Sequence, residues 1–151
     1  AQTLLEFTDD WGTHRGYIWR ITLENYHKFA PIHKLFGSGP DTFSIITYLN
    51  NLSEMSNLYG ERFDCVHNEY LQYFFTIGPF GLLAYLSIFV TTIINLMKNG
   101  KNCNPYVVAL LFGVIAYCTQ ATVNIALPIA TPVTWTFLCM ISTCLHKKQA
   151  L

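Results

Sequence analysis

The sequence contains an uncharged run of 28 residues, from Tyr70 to Met97, and this run limits the folds open to the chain. As an α-helix it would reach about 42 Å, more than the roughly 30 Å of hydrocarbon in a bilayer. Its first residues are rich in Tyr and Phe, a composition typical of a membrane interface. The pair Gly78-Pro79 then either kinks one long helix or marks the start of the span. The run predicts a transmembrane helix at about 77–97.

Charge is scarce and unevenly placed. Only 12% of the 151 residues are charged, about half the fraction usual in a soluble domain. All nine acidic residues precede Tyr70, whereas the chain after Glu69 carries four lysines and no acid. The acidic first part and the sparse bases argue against nucleic-acid binding.

A second uncharged run, over residues 102–145, is too long for one span and is interrupted by prolines. It predicts two further transmembrane helices at about 106–124 and 127–145. The lysines of the second half lie between the first two spans and after the last one, so the positive-inside rule places both segments in the cytoplasm. We therefore predict an all-α polytopic membrane protein fragment, with residues 1–69 as an extracytoplasmic helical segment and residues 70–151 as a three-span region.

Within the outer segment, helical periodicity predicts helices at about 14–29 and 41–52, with a turn at 35–40 and a loop at 50–64. Residues 1–20 lack the apolar core of a signal peptide. Because an outward-facing segment normally follows an earlier span, we expect this chain to be the C-terminal part of a larger membrane protein. The five cysteines show no disulfide or zinc spacing.

Four short motifs follow one another around these predicted helices: Arg15-x-x-x-Trp19, Gly37-Ser38-Gly39, His67-Asn68-Glu69 and Gly78-x-x-Gly81. In this order the chain resembles the C-terminal half of the bacterial O-antigen ligase and O-antigen polymerase superfamily. Members of that superfamily show an Arg and a Trp on an outward-facing helix, a Gly-x-Gly turn, and a His-Asn pair that opens the next span. The likeness covers residues 12–138.

The resemblance implies a glycosyltransferase of the bacterial inner (cytoplasmic) membrane that works at the outer face. Such an enzyme transfers a saccharide from a polyprenyl diphosphate to a hydroxyl of a lipid or glycan acceptor, without a bound metal or other cofactor. Its partners would be the lipid-linked glycan, the acceptor and membrane lipid, with earlier transmembrane helices of the same protein completing the fold. The sequence does not distinguish a ligase from a polymerase.

The residue types in the motifs fit this chemistry. Cleavage of a sugar–diphosphate bond develops negative charge on the leaving phosphate, and without a metal that charge needs fixed cations. Arg15 offers a planar fork of donors matched to phosphate oxygens. His67 either donates to the diphosphate or acts as general base, with Glu69 as the rival base. The predicted catalytic residues are Arg15 and His67, and the predicted substrate-binding residues are Trp19, Arg20, Asn68 and Glu69.

The same residues also have structural interpretations. An exposed arginine is usually solvated or paired with a carboxylate, and a histidine beside an asparagine at a helix start is commonly part of a cap. Trp19 more often packs than binds a ligand, and glycines such as Gly37 and Gly39 more often serve a turn than a phosphate.

Two other functions compete with glycan transfer. In a transporter or channel segment, Gln120 and Asn124 would line a path, although the predicted spans hold no ionisable group of the kind that transporters carry. The same two residues serve equally well as contacts between helices. In a non-catalytic membrane scaffold, Arg15 and His67 would be freely replaceable.

Overall fold

Helices joined by turns and irregular segments make up the part of the chain that the computed structural model describes, which comprises residues 8–99 and 104–149, with side chains for 8–98 and 104–145. No strand occurs in these ranges, so the all-α prediction is confirmed there. Lys101 lies outside the described residues, and so do residues 1–7. The six helices are α1 (Trp11–His27), α2 (Pro31–Phe36), α3 (Thr42–Tyr59), α4 (Glu69–Asn99), α5 (Pro105–Gln120) and α6 (Ala130–Gln149).

The contacts divide the chain into two compact units, one that ends at Leu82 and one that begins at Leu83. Each unit has its own apolar core. The core of the first unit consists of Tyr17, Ile18, Ile21, Phe43, Met55, Phe63, Val66 and Phe75. The core of the second consists of Phe89, Leu96, Val107, Val114, Leu138, Ile141 and Leu145. The predicted assignment of residues 1–69 to the outside and 70–151 to the membrane stays a prediction.

In the first unit, buried amides join α1 to α3. The Asn25 side-chain amide donates to Oδ1 of Asn51 at 2.8 Å, and the Asn50 amide donates to Oδ1 of Asn25 at 2.7 Å. These bonds need Asn50 and Asn51 on a helix, and α3 continues to Tyr59 before it ends at the left-handed Gly60. The helix predicted at 41–52 is therefore confirmed but too short, and the predicted loop is wrong over 53–59, where Glu54 accepts hydrogen bonds from Arg20 and Asn51.

The short helix α2 has no counterpart among the predicted helices. Pro31 occupies its first turn, where the missing N–H costs nothing, and the helix ends at Gly37, whose φ is 79°. Six residues are too few to show a helical period. The sequence indicates only the two ends of α2, through Pro31 at its start and the glycine turn that follows it.

The helix α4 consists of two helical segments that meet at a kink at Gly78, which has a non-helical φ of 72° and ψ of 175° and precedes Pro79. Because proline has no N–H, the carbonyl of Phe75 loses its intrahelical partner. The turn after α2 replaces it: Ser38 N–H donates to the Phe75 carbonyl at 3.0 Å, and Gly39 N–H donates to the Thr76 carbonyl at 2.8 Å. The N–H groups of the Gly-x-Gly turn therefore satisfy backbone carbonyls at the kink.

One helix, Glu69–Lys98, is long and apolar enough to cross a membrane, and only 11% of its most apolar stretch is buried. A core helix of a soluble protein would be mostly buried. The helix α5 and the apolar stretch Ala130–Leu145 of α6 are shorter than the spans predicted at 106–124 and 127–145, because α5 ends at Gln120 and α6 begins only at Ala130. Sixteen residues of helix extend about 24 Å, less than the bilayer hydrocarbon. Residues 8–99 and 104–149 thus contain one apolar helix of spanning length, and the three-span arrangement stays a prediction.

Candidate functional site

A hydrogen bond connects the Arg15-x-x-x-Trp19 motif to the residue before the His67-Asn68-Glu69 motif. Nε1–H of Trp19 on α1 donates to the backbone carbonyl of Val66 at 3.0 Å, across 47 positions of sequence. Val66 is fully buried and directly precedes His67. The bond therefore brings the Arg15–Trp19 face of α1 to the segment that opens α4. Trp19 also packs against Trp11, with 5.5 Å between ring centroids, which gives it a structural role of its own.

Arg15 lies half-buried at the start of α1, and its guanidinium has few partners. Its Nη1 donates to the carbonyl of Gly12 at 2.6 Å, whereas its Nε is buried without a hydrogen-bond partner. Within residues 8–99 and 104–149 no carboxylate forms an ion pair with Arg15. A buried donor without a partner is costly, and an anion in contact with this guanidinium would remove that cost.

Arg20, five residues further along α1, is held very differently. Its guanidinium donates to Asp9 and to Glu24, each at 2.8 Å, and to Glu54 on α3 at 3.1 Å. Hydrogen bonding to Asp9 raises the pKa of Arg20 above its usual value. The three carboxylates occupy the donors that substrate binding would need, so Arg20 ties α1 to α3, and its predicted contact with substrate stays a prediction.

His67 is half-buried in the segment before α4, with φ at 52°. This left-handed conformation is uncommon for a residue other than glycine, and such residues are frequent at functional sites. Nε2 of His67 lies 3.5 Å from Sγ of Cys65. The neighbouring thiol thus occupies one ring nitrogen of His67.

The other two residues of the motif take part in the start of α4. Oδ1 of Asn68 accepts the N–H of Leu71 at 3.0 Å, so Asn68 caps the helix. Glu69 follows in the first turn, where the helix dipole favours a carboxylate, and only 1% of it is exposed. Beside this cap lies an open, largely apolar groove of about 310 Å³, lined by Asn68, Tyr70, Leu71, Phe74 and Leu82.

Sequence reasoning missed the partners that define this region. The sequence prediction assigned no partner to Cys65, although its spacing of two residues from His67 is a pattern that could have indicated contact. The carboxylates Asp9 and Glu54 could not be assigned to Arg20 from the sequence, because they come from a turn before α1 and from α3.

The thiol of Cys65 gives a prediction that depends on pH. Burial raises the pKa of the Cys65 thiol to about 11, roughly two units above that of an unburied thiol, with Asp64 contributing to the rise. Since the thiolate is the reactive form, alkylation of Cys65 at about pH 8 is expected to be about 100-fold slower in the folded protein than after denaturation. The folded-state rate should keep increasing up to about pH 11. Iodoacetamide time courses read by peptide mass spectrometry measure this, and equal rates before and after denaturation in SDS contradict it.

No protein-family model, curated protein or solved structure matches this chain. The resemblance to the O-antigen ligase and polymerase superfamily therefore stays a hypothesis carried by the motifs.

Of the predicted site residues, Arg15, Trp19, Arg20, His67, Asn68 and Glu69 all belong to the first unit. Gln120 and Asn124 belong to the second, where Oδ1 of Asn124 accepts the N–H of Ile125 at 2.9 Å. Their proposed roles between helices or along a path stay predictions. Among the described residues no three His, Cys, Asp or Glu side chains are grouped so as to hold a metal ion.

Proposed function

We propose that the protein is a membrane glycosyltransferase of the O-antigen ligase or polymerase type, acting as part of a longer chain. It transfers a saccharide from a polyprenyl diphosphate to a lipid or glycan hydroxyl at the outer face of the bacterial inner membrane. The proposal concerns the surroundings of Arg15 and His67 in the first unit. Its substrate class comes from the motif resemblance, and its residue roles come from charge and geometry.

The contrast between the two arginines of α1 carries this proposal. Arg20 is bound by three carboxylates, whereas Arg15 has none among the described residues and keeps a buried Nε without a partner. A transferase that leaves a diphosphate behind needs a cation whose donors are available to phosphate oxygens. Of the two arginines, Arg15 is the one whose charge no carboxylate of the described residues neutralises, and we assign it to the diphosphate.

His67 is the second group in this assignment. Its position beside the Trp19–Val66 hydrogen bond supports action together with Arg15, although the two are 52 positions apart. Glu69, the rival base, is buried at 1% exposure and would reach a substrate only after a local rearrangement. This favours His67 as the group that meets the acceptor hydroxyl or the diphosphate.

The proposed location has its own test. With residues 1–69 outside and Lys98 inside, a cysteine introduced at exposed Ser56 should react with an impermeant maleimide in intact cells. A cysteine introduced at Asn99 should react only after permeabilisation. Both belong in a Cys65→Ser background of the full-length protein, because Cys65 is itself predicted to face outward. Labelling of position 99 but not of position 56 would reverse the orientation.

The activity is tested in membranes that contain the full-length protein and an isotopically labelled polyprenyl-diphosphate saccharide. We expect label to move to a lipid or glycan acceptor and the movement to stop without the protein. Passage of the saccharide across the membrane without transfer would support the transporter interpretation instead. If the saccharide is neither transferred nor carried across the membrane, the result supports the scaffold interpretation.

A further inference from the structure

The helix α2 and the kink of α4 present a cluster of exposed apolar side chains. The exposed fractions are 57% for Ile32, 45% for Leu35, 60% for Phe36 and 56% for Phe80. These four side chains are called the α2 patch below, together with the basic residues in and just before α2, which are His27, Lys28, His33 and Lys34. Exposed apolar clusters of this kind mark sites of interaction.

The patch is fixed to the apolar helix. The rings of Phe36 and Phe80 pack with 5.9 Å between their centroids. At Gly78 an added Cβ would overlap the carbonyl of Leu35 and come within 2.7 Å of the Gly37 nitrogen, so the end of α2 lies directly against the kink. Hence α2 lies beside the point where the Pro79 part of α4 begins.

Between Glu24 and Asp41 the formal charges of the chain have one sign. Residues 25–40 contain no acid, although the part of the chain before Tyr70 holds all nine acidic residues. The same sixteen positions contain Lys28 and Lys34, and also His27 and His33. His27, Lys28 and His33 are exposed, and Lys34 is partly so. A basic rim around aliphatic and aromatic side chains is complementary to an anionic lipid surface.

We propose that the α2 patch is an interfacial membrane anchor, with Ile32, Leu35 and Phe36 in the headgroup–acyl boundary and the basic residues on anionic phospholipid headgroups. Two features favour lipid over a protein partner: the patch continues onto the exposed surface of the only helix of spanning length in the described residues, and its charge opposes that of the remaining outer segment. The anchor would hold the Gly-x-Gly turn and the kink at a fixed depth. It requires insertion of α4 but not glycan transfer, so its failure is distinguishable from failure of the proposed function.

The test uses the full-length protein in nanodiscs that hold one copy each, so that no second copy can cover the patch. A fluorescent amino acid replaces Ile32 in one variant and Leu58 in the other. Leu58 is the matched control, because it is exposed to 59% and lies near the far end of α3, about 24 Å along the helix from Thr42. The quencher is a phospholipid brominated in its acyl chains, with about a quarter of the lipid as phosphatidylglycerol.

We expect brominated lipid to quench the fluorophore at position 32 at least about three-fold more than at position 58. Weak quenching at position 32, or equal quenching at both positions, would overturn the anchor. The elution volume and helical circular dichroism of both variants must match those of the unmodified protein. If the Ile32 variant fails that check, the fluorophore is moved to Phe36 and the same outcomes apply.

A second experiment reverses two basic charges of the patch and tests their contact with anionic lipid headgroups. Each lysine close to an anionic surface raises membrane affinity about five-fold. We therefore expect Lys28→Glu with Lys34→Glu to lower the quenching at position 32 by at least about half in discs with phosphatidylglycerol. The control Arg62→Glu reverses an exposed charge in the segment after α3 and should leave it unchanged. Equal effects of the two changes would refute the role of the basic rim.

Discussion

Replacing Arg15 by lysine is expected to lower glycan transfer by about 100- to 1,000-fold, the usual loss when one interaction with transition-state charge is removed. Lysine keeps the charge but presents a single ammonium in place of the planar fork that matches two phosphate oxygens. The present guanidinium has a buried Nε without a partner, which a bound diphosphate would satisfy. The loss should appear in kcat/KM, since the contact is made to the departing diphosphate.

The same membrane assay, normalised to protein level, supplies the controls. Arg62→Lys changes an exposed arginine outside the proposed site and should transfer normally. His67→Ala should lose activity to a similar degree, because it removes a donor or base while leaving the apolar helices intact. Near-normal transfer by both Arg15→Lys and His67→Ala would refute the catalytic assignment and support the scaffold interpretation.

Gly78→Ala is expected to destabilise the first unit by about 3 kcal/mol or more, from backbone strain and overlap together. Gly78 has φ 72° and ψ 175°, a region that is essentially restricted to glycine. A methyl group there would meet the backbone of Leu35 and Gly37, neither of which can rotate away. The kink, the turn after α2 and the start of the Pro79 helix would have to shift together.

Gly60→Ala is the matched control for that substitution. Gly60 also has positive φ, at 67°, but nothing lies within 4 Å of an added Cβ. Its cost is therefore expected to be the conformational cost alone, about 1 kcal/mol. Unfolding of the two variants by denaturant, followed by tryptophan fluorescence in the same detergent, gives the comparison. Equal losses would mean that the contact of α2 with the kink does not stabilise the fold.

Sequence patterns predicted the helical class, the long apolar helix and the approximate positions of α1 and α3. These features depend on neighbours within about one or two turns, such as the 28 uncharged residues from Tyr70 or the glycine and proline at the kink. The sequence also placed Arg15 and His67 among a handful of candidates. It went wrong over 53–59, where polar residues such as Glu54 suggested a loop although Glu54 pairs with Arg20 on another helix.

Composition and periodicity thus determined the helical class of the described residues and the one helix among them that is long enough to span a membrane, whereas the other two predicted spans stay predictions. Only the tertiary structure decided which of two arginines, five residues apart on one helix, is neutralised. Arg20 receives carboxylates from Asp9 and from Glu54, 34 positions away, whereas Arg15 receives none from the described residues. The physical reason is that hydropathy is a property of each side chain, while an ion pair depends on which distant side chains the packing of α1 and α3 brings within about 3 Å.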